Sequence, residues 1–239
     1  MPAIGQAAGE RPRPIFSPAR ILLILLLLGW CAVGCATTSG DPRRPVAPHP
    51  DVEWPRDRSI LTGEQPLRVR LPAGDRGQSV SWQVDDGPTS LLGPSPEATD
   101  LRTTVTDVTG WNRLGRHLLR FYLTPPGRPP ILIKTVPVYS TQVRTRLPPS
   151  ARASEQAVEA WLEGVPADLY AATWRVDGGQ FNAMRTDTAG HKTYTIDTGG
   201  WSWRTAGYYA VRIDMTERGT SRQIAGPAQI ILFIPPKPE

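Results

Sequence analysis

Short runs of alternating apolar and polar residues recur along the chain from about residue 65, separated by clusters of turn-forming residues. Successive side chains of a β-strand point to opposite faces of a sheet, so this pattern predicts half-buried strands. The strands are predicted near residues 66–72, 79–85, 101–108, 116–124 and 131–139, and again near 156–163, 169–177, 191–197, 207–216 and 222–234. Only the pattern of residues 154–165 is compatible with either a helix or a strand. The pattern therefore predicts an all-β fold.

The two sets of strands are copies of each other. Residues 82–87 (WQVDDG) recur 92 positions later as residues 174–179 (WRVDGG), and Gly115 recurs at the same spacing as Gly207. The Asp-Gly and Gly-Gly pairs supply the positive φ angles that tight hairpins need. A repeat of this length indicates duplication of a folded unit.

The repeat predicts two domains, at residues 65–145 (domain 1) and 150–236 (domain 2). Residues 145–154 between them contain Pro148 and Pro149, which should stiffen a linker at this place. Alternation after the repeated glycine predicts one buried face in each domain. These faces comprise His117, Leu119, Phe121 and Leu123 in domain 1, and Tyr209, Val211, Ile213 and Met215 in domain 2.

The strand tryptophans Trp82 and Trp174, together with the run Gly207-Tyr208-Tyr209, resemble features of the immunoglobulin-like and fibronectin type III-like domains of bacterial surface and envelope proteins. The resemblance implies two tandem immunoglobulin-like β-sandwich domains. It also implies a tyrosine corner, in which a tyrosine at the start of a late strand bonds back to the preceding backbone. Domain 1 has His117 at the matching position, and we predict that this histidine substitutes structurally for the tyrosine.

A different pattern occupies the N-terminus. Basic residues at positions 11, 13 and 20 precede an apolar run at 21–30, and Ala32-Val33-Gly34-Cys35 follows. Residues 1–34 are therefore predicted to be an export signal peptide. Cleavage by an ordinary signal peptidase after Gly34 and retention as an anchor stay open, although the apolar stretch at 21–36 is shorter than the roughly 20 residues that span a bilayer.

The run Ala32-Val33-Gly34-Cys35 resembles the lipobox of bacterial lipoproteins. The resemblance implies acylation of Cys35, with palmitate among the expected chains, and stable attachment to a membrane. Ala36 follows in place of the aspartate of the inner-membrane retention signal, so we expect the outer membrane, facing the periplasm, if the cell is Gram-negative. Residues 35–64 are proline-rich without an apolar period, which predicts an extended tether.

Composition narrows the classes of partner and cofactor. The net charge of +5 comes from dispersed arginines without a basic run, so we expect no nucleic-acid partner. Removal of the leader would also remove Cys31 and leave Cys35 as the single cysteine, which excludes an internal disulfide. The aspartates match no calcium loop, and we expect neither a metal nor another cofactor.

Residues able to perform catalysis are not grouped in the sequence. The three histidines, His49, His117 and His191, lie in no recognisable motif with a nucleophile or a carboxylate. We therefore expect a protein that is not an enzyme. A hydrolase with an unrecognised site, using His117 as its base, is the remaining catalytic alternative.

Aromatic residues of domain 2 carry the binding hypothesis. Trp201 and Trp203 would point to one face of an extended segment. Trp203 either contacts a ligand or fills the end of the second sandwich. The other candidate contact residues are Tyr194, Tyr208 and Trp161.

Two functions follow from these features. The first is an envelope lipoprotein that presents its tandem domains to a protein partner, where tryptophan is enriched among the residues that dominate binding. The alternative is a glycan-binding protein, for peptidoglycan or an exopolysaccharide, that stacks its aromatic rings on sugars.

Overall fold

The computed structural model describes residues 49–149, 154–176, 179–199, 205–220, 222–234 and 236. In these ranges the chain forms β-strands and three short 3-10 turns, at Ala73–Asp75, Val108–Gly110 and Ala167–Leu169. The predicted all-β fold class is confirmed. Both β-sandwiches belong to one compact unit, Pro48–Glu239.

Domain 1 contains strands β1 to β8. Their bounds are Asp51–Trp54 (β1), Ile60–Leu61 (β2), Glu64–Arg70 (β3), Ser79–Val84 (β4), Thr89–Pro94 (β5), Leu101–Asp107 (β6), Gly115–Thr124 (β7) and Ile131–Ser140 (β8). Hydrogen bonding runs in the order β1-β3-β6-β5-β4-β7-β8-β2. Strand β5 pairs with both β4 and β6, so it passes from one layer of the sandwich to the other. All pairings are antiparallel except that of β2 with β8, which is parallel.

Domain 2 contains strands β9 to β16. Their bounds are Val143–Arg146 (β9), Glu155–Leu162 (β10), Tyr170–Val176 (β11), Asn182–Ala183 (β12), Arg185–Thr186 (β13), Lys192–Asp197 (β14), Gly207–Glu217 (β15) and Ala228–Ile234 (β16). They form two four-stranded sheets, in the orders β13-β14-β10-β9 and β12-β11-β15-β16. This division of antiparallel strands between two packed sheets is that of an immunoglobulin-like sandwich.

The predicted alternation positions the core of each domain. Inward-facing residues of β7 are buried at positions 117, 119, 121 and 123, and those of β15 at 211, 213 and 215, while their neighbours are partly or fully exposed. Full burial of a side chain such as Leu119 or Phe121 contributes roughly 1.5–3 kcal/mol. Each sandwich thus has its own apolar core.

Most predicted strands lie where the pattern placed them. Strand β5 was missed because its sequence TSLLGP does not alternate and ends in Gly93-Pro94, which is typical of a turn. Residues 154–165, left open between helix and strand, contain β10, in which Val158, Ala160 and Leu162 alternate as buried residues.

Two predicted boundaries were wrong. The tether predicted at 35–64 includes β1 and β2, which hydrogen-bond into the sheets of domain 1. The linker predicted at 145–154 connects β9 to β10 inside domain 2. Only Thr141 and Gln142 separate β8 of domain 1 from β9 of domain 2.

The two domains interlock at this short connection. Ile60 of β2 is fully buried and packs into the core of domain 2, although its strand pairs with β8 of domain 1. The Ile60 amide donates to Glu217 Oε1 at 3.0 Å, and Thr141 Oγ1 donates to the Glu163 carbonyl oxygen at 2.7 Å. Gly164 lies so close to Gly115 that a Cβ at Gly164 would stand 2.7 Å from the Gly115 Cα.

Candidate functional site

The most densely hydrogen-bonded site of domain 1 is centred on His117, the second residue after Gly115 at the start of β7. His117 Nε2 lies 3.0 Å from the carbonyl oxygen of Arg113, four residues earlier. In domain 2, Tyr209 Oη donates to the carbonyl oxygen of Thr205, also four residues earlier, at 2.7 Å. The predicted substitution of histidine for the corner tyrosine is confirmed by this shared geometry.

The histidine also contacts two further side chains. Its Nδ1 lies 2.8 Å from Asp85 Oδ2, and its Nε2 lies 3.0 Å from Ser140 Oγ. The Ser140 hydroxyl donates to the same Arg113 carbonyl at 3.2 Å. Both ring nitrogens therefore lie within hydrogen-bonding distance of an oxygen acceptor, Asp85 Oδ2 at Nδ1 and the Arg113 carbonyl oxygen at Nε2.

Asp85 completes this cluster from the turn between β4 and β5. Burial opposes ionisation of its carboxyl group, but the Leu118 amide, His117 and Arg113 together hold its pKa below the usual value. Asp85 has a positive φ of 48°, and the Gly87 amide closes the turn on the Val84 carbonyl oxygen at 2.9 Å. The VDDG sequence thus forms the tight turn that its residues predict.

Ser140, His117 and Asp85 occur in the hydrogen-bond order of a serine hydrolase triad. A nucleophile must reach a substrate, however, and Ser140 is 0% exposed and His117 1% exposed. The edge of the Trp111 indole packs on the His117 ring, with centroids 4.9 Å apart. The geometry places His117 in a structural role, as the support of the corner.

A cleft of about 1000 Å³ opens beside this cluster, between the β4–β5 turn and the segment that follows β6. Trp82 and Trp111 line it, and its carboxylates are already engaged: Asp107 by Thr109, and Asp86 by Arg120 at 3.2 Å. Within the described ranges, no group of three or more histidine, cysteine, aspartate or glutamate side chains is placed to hold a metal ion.

The predicted contact residues of domain 2 do not converge on one surface. Tyr194 is half-buried and packs against Trp174, with ring centroids 4.8 Å apart. Trp161 is half-buried and stacks on His191 at 4.3 Å. Tyr208, on the other sheet, is 77% exposed. Cys35, Trp201 and Trp203 lie outside the described residues.

Tyr208 belongs to an apolar strip on the outer face of the β12-β11-β15-β16 sheet. It pairs across the strands with Phe233, and the two ring centroids are 5.1 Å apart. Phe233 and Ile231, which alternate along β16, are 51% and 57% exposed. We refer to Tyr208, Ile231 and Phe233 as the apolar strip.

The apolar strip continues to a free sheet edge. Strand β16 pairs with β15 on one side, and among the described residues no backbone group bonds to its other side. Its seven residues, AQIILFI, contain no charge, proline or glycine. A long, uncharged apolar edge is a template for pairing with another strand.

The equivalent edge in domain 1 is protected. The last residues of β8 pair with β2, and β8 carries Lys134 and Pro137. A lysine, a proline and a covering strand are features that prevent edge-to-edge association. The edge of β16 carries neither a lysine nor a proline, and no backbone hydrogen bond joins it to the nearby strand β9 among the described residues, so it is the better candidate for a contact surface.

Domain 2 also buries a charge. Lys192 is 2% exposed, and its Nζ donates to the Ala167 carbonyl oxygen at 2.8 Å and to Thr186 Oγ1 at 2.7 Å. It also lies over the ring of Tyr170, 4.7 Å from the centroid. Burial, aided by Arg218, lowers the pKa of Lys192. The amine is thus held inside the sandwich by neutral partners.

Comparison with known proteins gives no family. No family model matches the chain, and no curated protein matches it. Many solved structures show distant similarity, among them the three that follow. An endo-β-1,4-mannanase from Thermotoga petrophila is 13% identical over 43% of this chain, with a TM-score of 0.34, and the match spans about a fifth (21%) of the mannanase.

The other two matches cover more of the chain. The chicken interferon gamma receptor alpha chain is 10% identical over 79% of this chain and 99% of the receptor chain, with a TM-score of 0.34. Bovine butyrophilin is 10% identical over 78% of this chain and 98% of its own, with a TM-score of 0.35. At this distance none of them indicates a function. No helical segment in the described ranges has the length and apolar character to span a bilayer.

Sequence analysis missed two features of these sites. Ser140 joins the histidine cluster only because β8 pairs with β7 at Gly115, which no local pattern shows. The edge of β16 had a signal, since an uncharged apolar run closes domain 2, but strand order decides which strand lies at an edge.

Proposed function

We propose that this chain is a non-catalytic binding protein of the bacterial envelope that captures a protein partner by strand addition at β16. The observation that supports the proposal is the free, uncharged edge of β16 beside the apolar strip. An extended segment added to this edge would satisfy the unpaired backbone groups, and backbone bonds give such complexes their affinity.

The edge also restricts the chemistry of the partner. Residues opposite each other in a sheet interact through their side chains, and Ile231 and Phe233 offer apolar contacts on the outer face. A partner segment with alternating β-branched or aromatic residues, and without charge on that face, would complement them. We therefore propose an extended, uncharged segment of another envelope protein as the occupant.

Site-specific photo-cross-linking tests this proposal in the native envelope. A cross-linker at Gln229 lies on β16, and one at Lys134 lies on the protected β8 as the matched control. We expect Gln229 to capture one protein through an extended uncharged segment, identified by peptide mapping, and Lys134 to capture none.

A charge at the edge sharpens the test. Ile231→Lys should abolish the Gln229 cross-link without lowering stability, because Ile231 is exposed, whereas Leu132→Lys on β8 should leave the cross-link intact. Capture that survives Ile231→Lys would contradict strand addition. Cross-links between two copies of this chain would show that the occupant of the edge is a second copy and not another protein.

We further propose that acylated Cys35 holds the protein at the outer membrane, facing the periplasm in a Gram-negative cell. The support is the lipobox-like run in the sequence and the strand β1 that begins at Asp51, a short distance after it. Metabolic labelling with a palmitate analogue should label the wild-type chain and not Cys35→Ser. An unlabelled wild-type chain released from membranes would contradict anchoring by lipid.

The glycan-binding alternative retains one favourable feature, the exposed ring of Tyr208. Retention on immobilised peptidoglycan or exopolysaccharide, lost on Tyr208→Ala and kept on Tyr194→Phe, would favour it. Equal and poor retention of wild-type and Tyr208→Ala proteins would exclude this surface as a glycan site.

A further inference from the structure

A second recess lies at the junction of the two domains. Residues of the β1–β2 segment form one wall, and Leu169 with the turn after β15 forms the other, enclosing about 520 Å³. We call it the junction groove. Its charged lining comprises Arg56, Arg58, Arg218, Arg222, Glu53, Asp57 and Glu217.

Part of this charge is already neutralised. Glu217 pairs with Arg222 at 3.1 Å, and Arg222 Nη2 also donates to the Ile60 carbonyl oxygen at 2.6 Å. Burial opposes ionisation of Glu217, but Arg222 and the Ile60 amide hold its pKa below the usual value. Glu53 accepts a hydrogen bond from Arg70 at 2.5 Å. These groups form the fixed wall of the groove.

Three arginines remain. Their side chains are exposed and, among the described residues, make no ion pair: Arg56, Arg58 and Arg218. Among the described carboxylates of the lining, only Asp57 has no basic partner. The groove therefore has a surplus of two positive charges. A dianion would balance this surplus, and guanidinium groups match the geometry of phosphate oxygens.

The backbone that carries these arginines is firmly held. Arg58 has a φ of +65°, in the left-handed region that is costly for a residue other than glycine, and its amide donates to the Pro137 carbonyl oxygen at 2.6 Å. The Arg218 amide donates to the Leu169 carbonyl oxygen at 2.9 Å. Two arginines with anchored backbones, one from each domain, thus line the same recess.

The groove wall also contains the Trp54 ring, and the Arg222 guanidinium lies 4.8 Å from its centroid. This cation–π contact helps to hold Arg222 in the wall.

We propose that the junction groove binds a phosphate-type oxoanion through Arg56, Arg58 and Arg218, and that the bound anion fastens the two domains to each other. The ligand is a phosphate group, carried either by a soluble compound or by a lipid headgroup. This site is independent of the strand-addition surface on β16.

Titration with inorganic phosphate at constant ionic strength tests the site. The protein is the processed chain carrying Cys35→Ser, and calorimetry and thermal unfolding are the two measurements. We expect saturable binding and a melting temperature that rises with phosphate, because a ligand that binds only the folded state stabilises it. Arg58→Gln and Arg218→Gln should each weaken binding by roughly fivefold or more.

Arg128→Gln is the matched control, since Arg128 is an exposed arginine in the β7–β8 turn that makes no ion pair among the described residues. Its affinity for phosphate should equal that of the parent chain. The proposal is overturned if phosphate does not bind saturably, or if all three variants respond to it alike.

Vesicle flotation separates the two sources of the phosphate group. Binding to phosphatidylglycerol vesicles that phosphate competes away, that Arg218→Gln abolishes and that phosphatidylcholine vesicles do not show would identify a lipid headgroup. Saturable phosphate binding without vesicle binding would identify a soluble phosphate compound.

Discussion

The corners of the two domains occupy the same place in the fold and use different chemistry. In domain 2 the Tyr209 hydroxyl donates to the Thr205 carbonyl oxygen and lies 3.4 Å from the Thr205 hydroxyl. In domain 1 the His117 ring joins Arg113, Asp85 and Ser140. The corner thus requires a hydrogen-bond donor directed at the carbonyl oxygen four residues earlier, and either tyrosine or histidine can supply it.

The histidine corner has an additional dependence. The His117 ring presents two buried nitrogens, and each needs a hydrogen-bond partner because an unpaired buried polar group is costly. Asp85 supplies the partner of Nδ1 from the β4–β5 turn, so domain 1 links its corner to its hairpin.

The largest expected effect is the removal of the histidine. His117→Ala should lower the free energy of unfolding by about 3 kcal/mol, because it leaves Asp85 and the Arg113 carbonyl without their partner and opens a cavity. Tyr209→Phe, which removes one hydrogen bond, should cost about 1 kcal/mol. Urea unfolding measures both. Equal losses would show that the two corners are energetically equivalent after all.

The glycine contact between domains should come next. Gly164→Ala places a Cβ 2.7 Å from the Gly115 Cα at a φ of +76°, so the backbones must separate. We expect a loss of about 2–3 kcal/mol. Gly207→Ala is the control, since Gly207 corresponds to Gly115 but meets nothing within 4 Å, and should cost about 1 kcal/mol. If Gly164→Ala is as stable as Gly207→Ala, then Gly164 and Gly115 must lie further apart than this structure shows.

Acid should distinguish the corners by charge. The pKa of Asp85 is lowered in the folded state, so its stabilising contribution is fully present above the unfolded value of about 3.9 and is lost as the pH falls through the folded value. Asp85→Asn should therefore make the unfolding free energy fall less steeply between about pH 4 and pH 2. Glu217, whose pKa is also lowered, adds a similar slope from the domain junction.

Paired urea titrations at several pH values separate these two contributions. Glu217→Gln should remove its own part of the slope and leave the part due to Asp85. Parallel acid curves for the parent chain and Asp85→Asn would contradict a charged corner.

The smallest effect concerns the buried amine of domain 2. Both domains bury the first residue of a strand, but with different side chains. In domain 1 it is the apolar Leu101 of β6, and in domain 2 it is the amine Lys192 of β14. Since burying a charge offsets the benefit of its hydrogen bonds, Lys192→Met should change stability by less than about 1 kcal/mol. In the parent chain, stability should rise as the pH increases above neutrality, because the unfolded chain still binds a proton at Lys192 that the folded chain releases. Melting curves of Lys192→Met at several pH values should lack this rise. A loss of several kcal/mol would assign Lys192 a larger role.

Local patterns in the sequence were sufficient for the strands and for the corner. Alternation located β4 and β7, and the repeat paired His117 with Tyr209 before their partners were known. The strands β1 and β2 escaped because Trp54-Pro55 and the prolines around it are typical of an extended tether. Their pairing depends on distant strands, which local composition does not describe.

The sites depended still more on tertiary structure. Asp85, in the β4–β5 turn, and Ser140, at the end of β8, contact His117 from positions 32 and 23 residues away in sequence. Arg58 and Arg218 line one groove only because the domains pack together. Tyr194 was predicted as a contact residue on its aromatic character alone, and its place on β14 turns that ring toward Trp174.

Ile60 has a consequence for how this protein can be divided. A protease cut between Leu61 and Val143, or an excised second domain beginning at β9, would remove the side chain that fills the core of domain 2 and leave a hole lined by apolar residues. Such a fragment should be prone to aggregation, and a transplanted copy should need a substitute for Ile60. The two duplicated halves therefore depend on each other for a complete core.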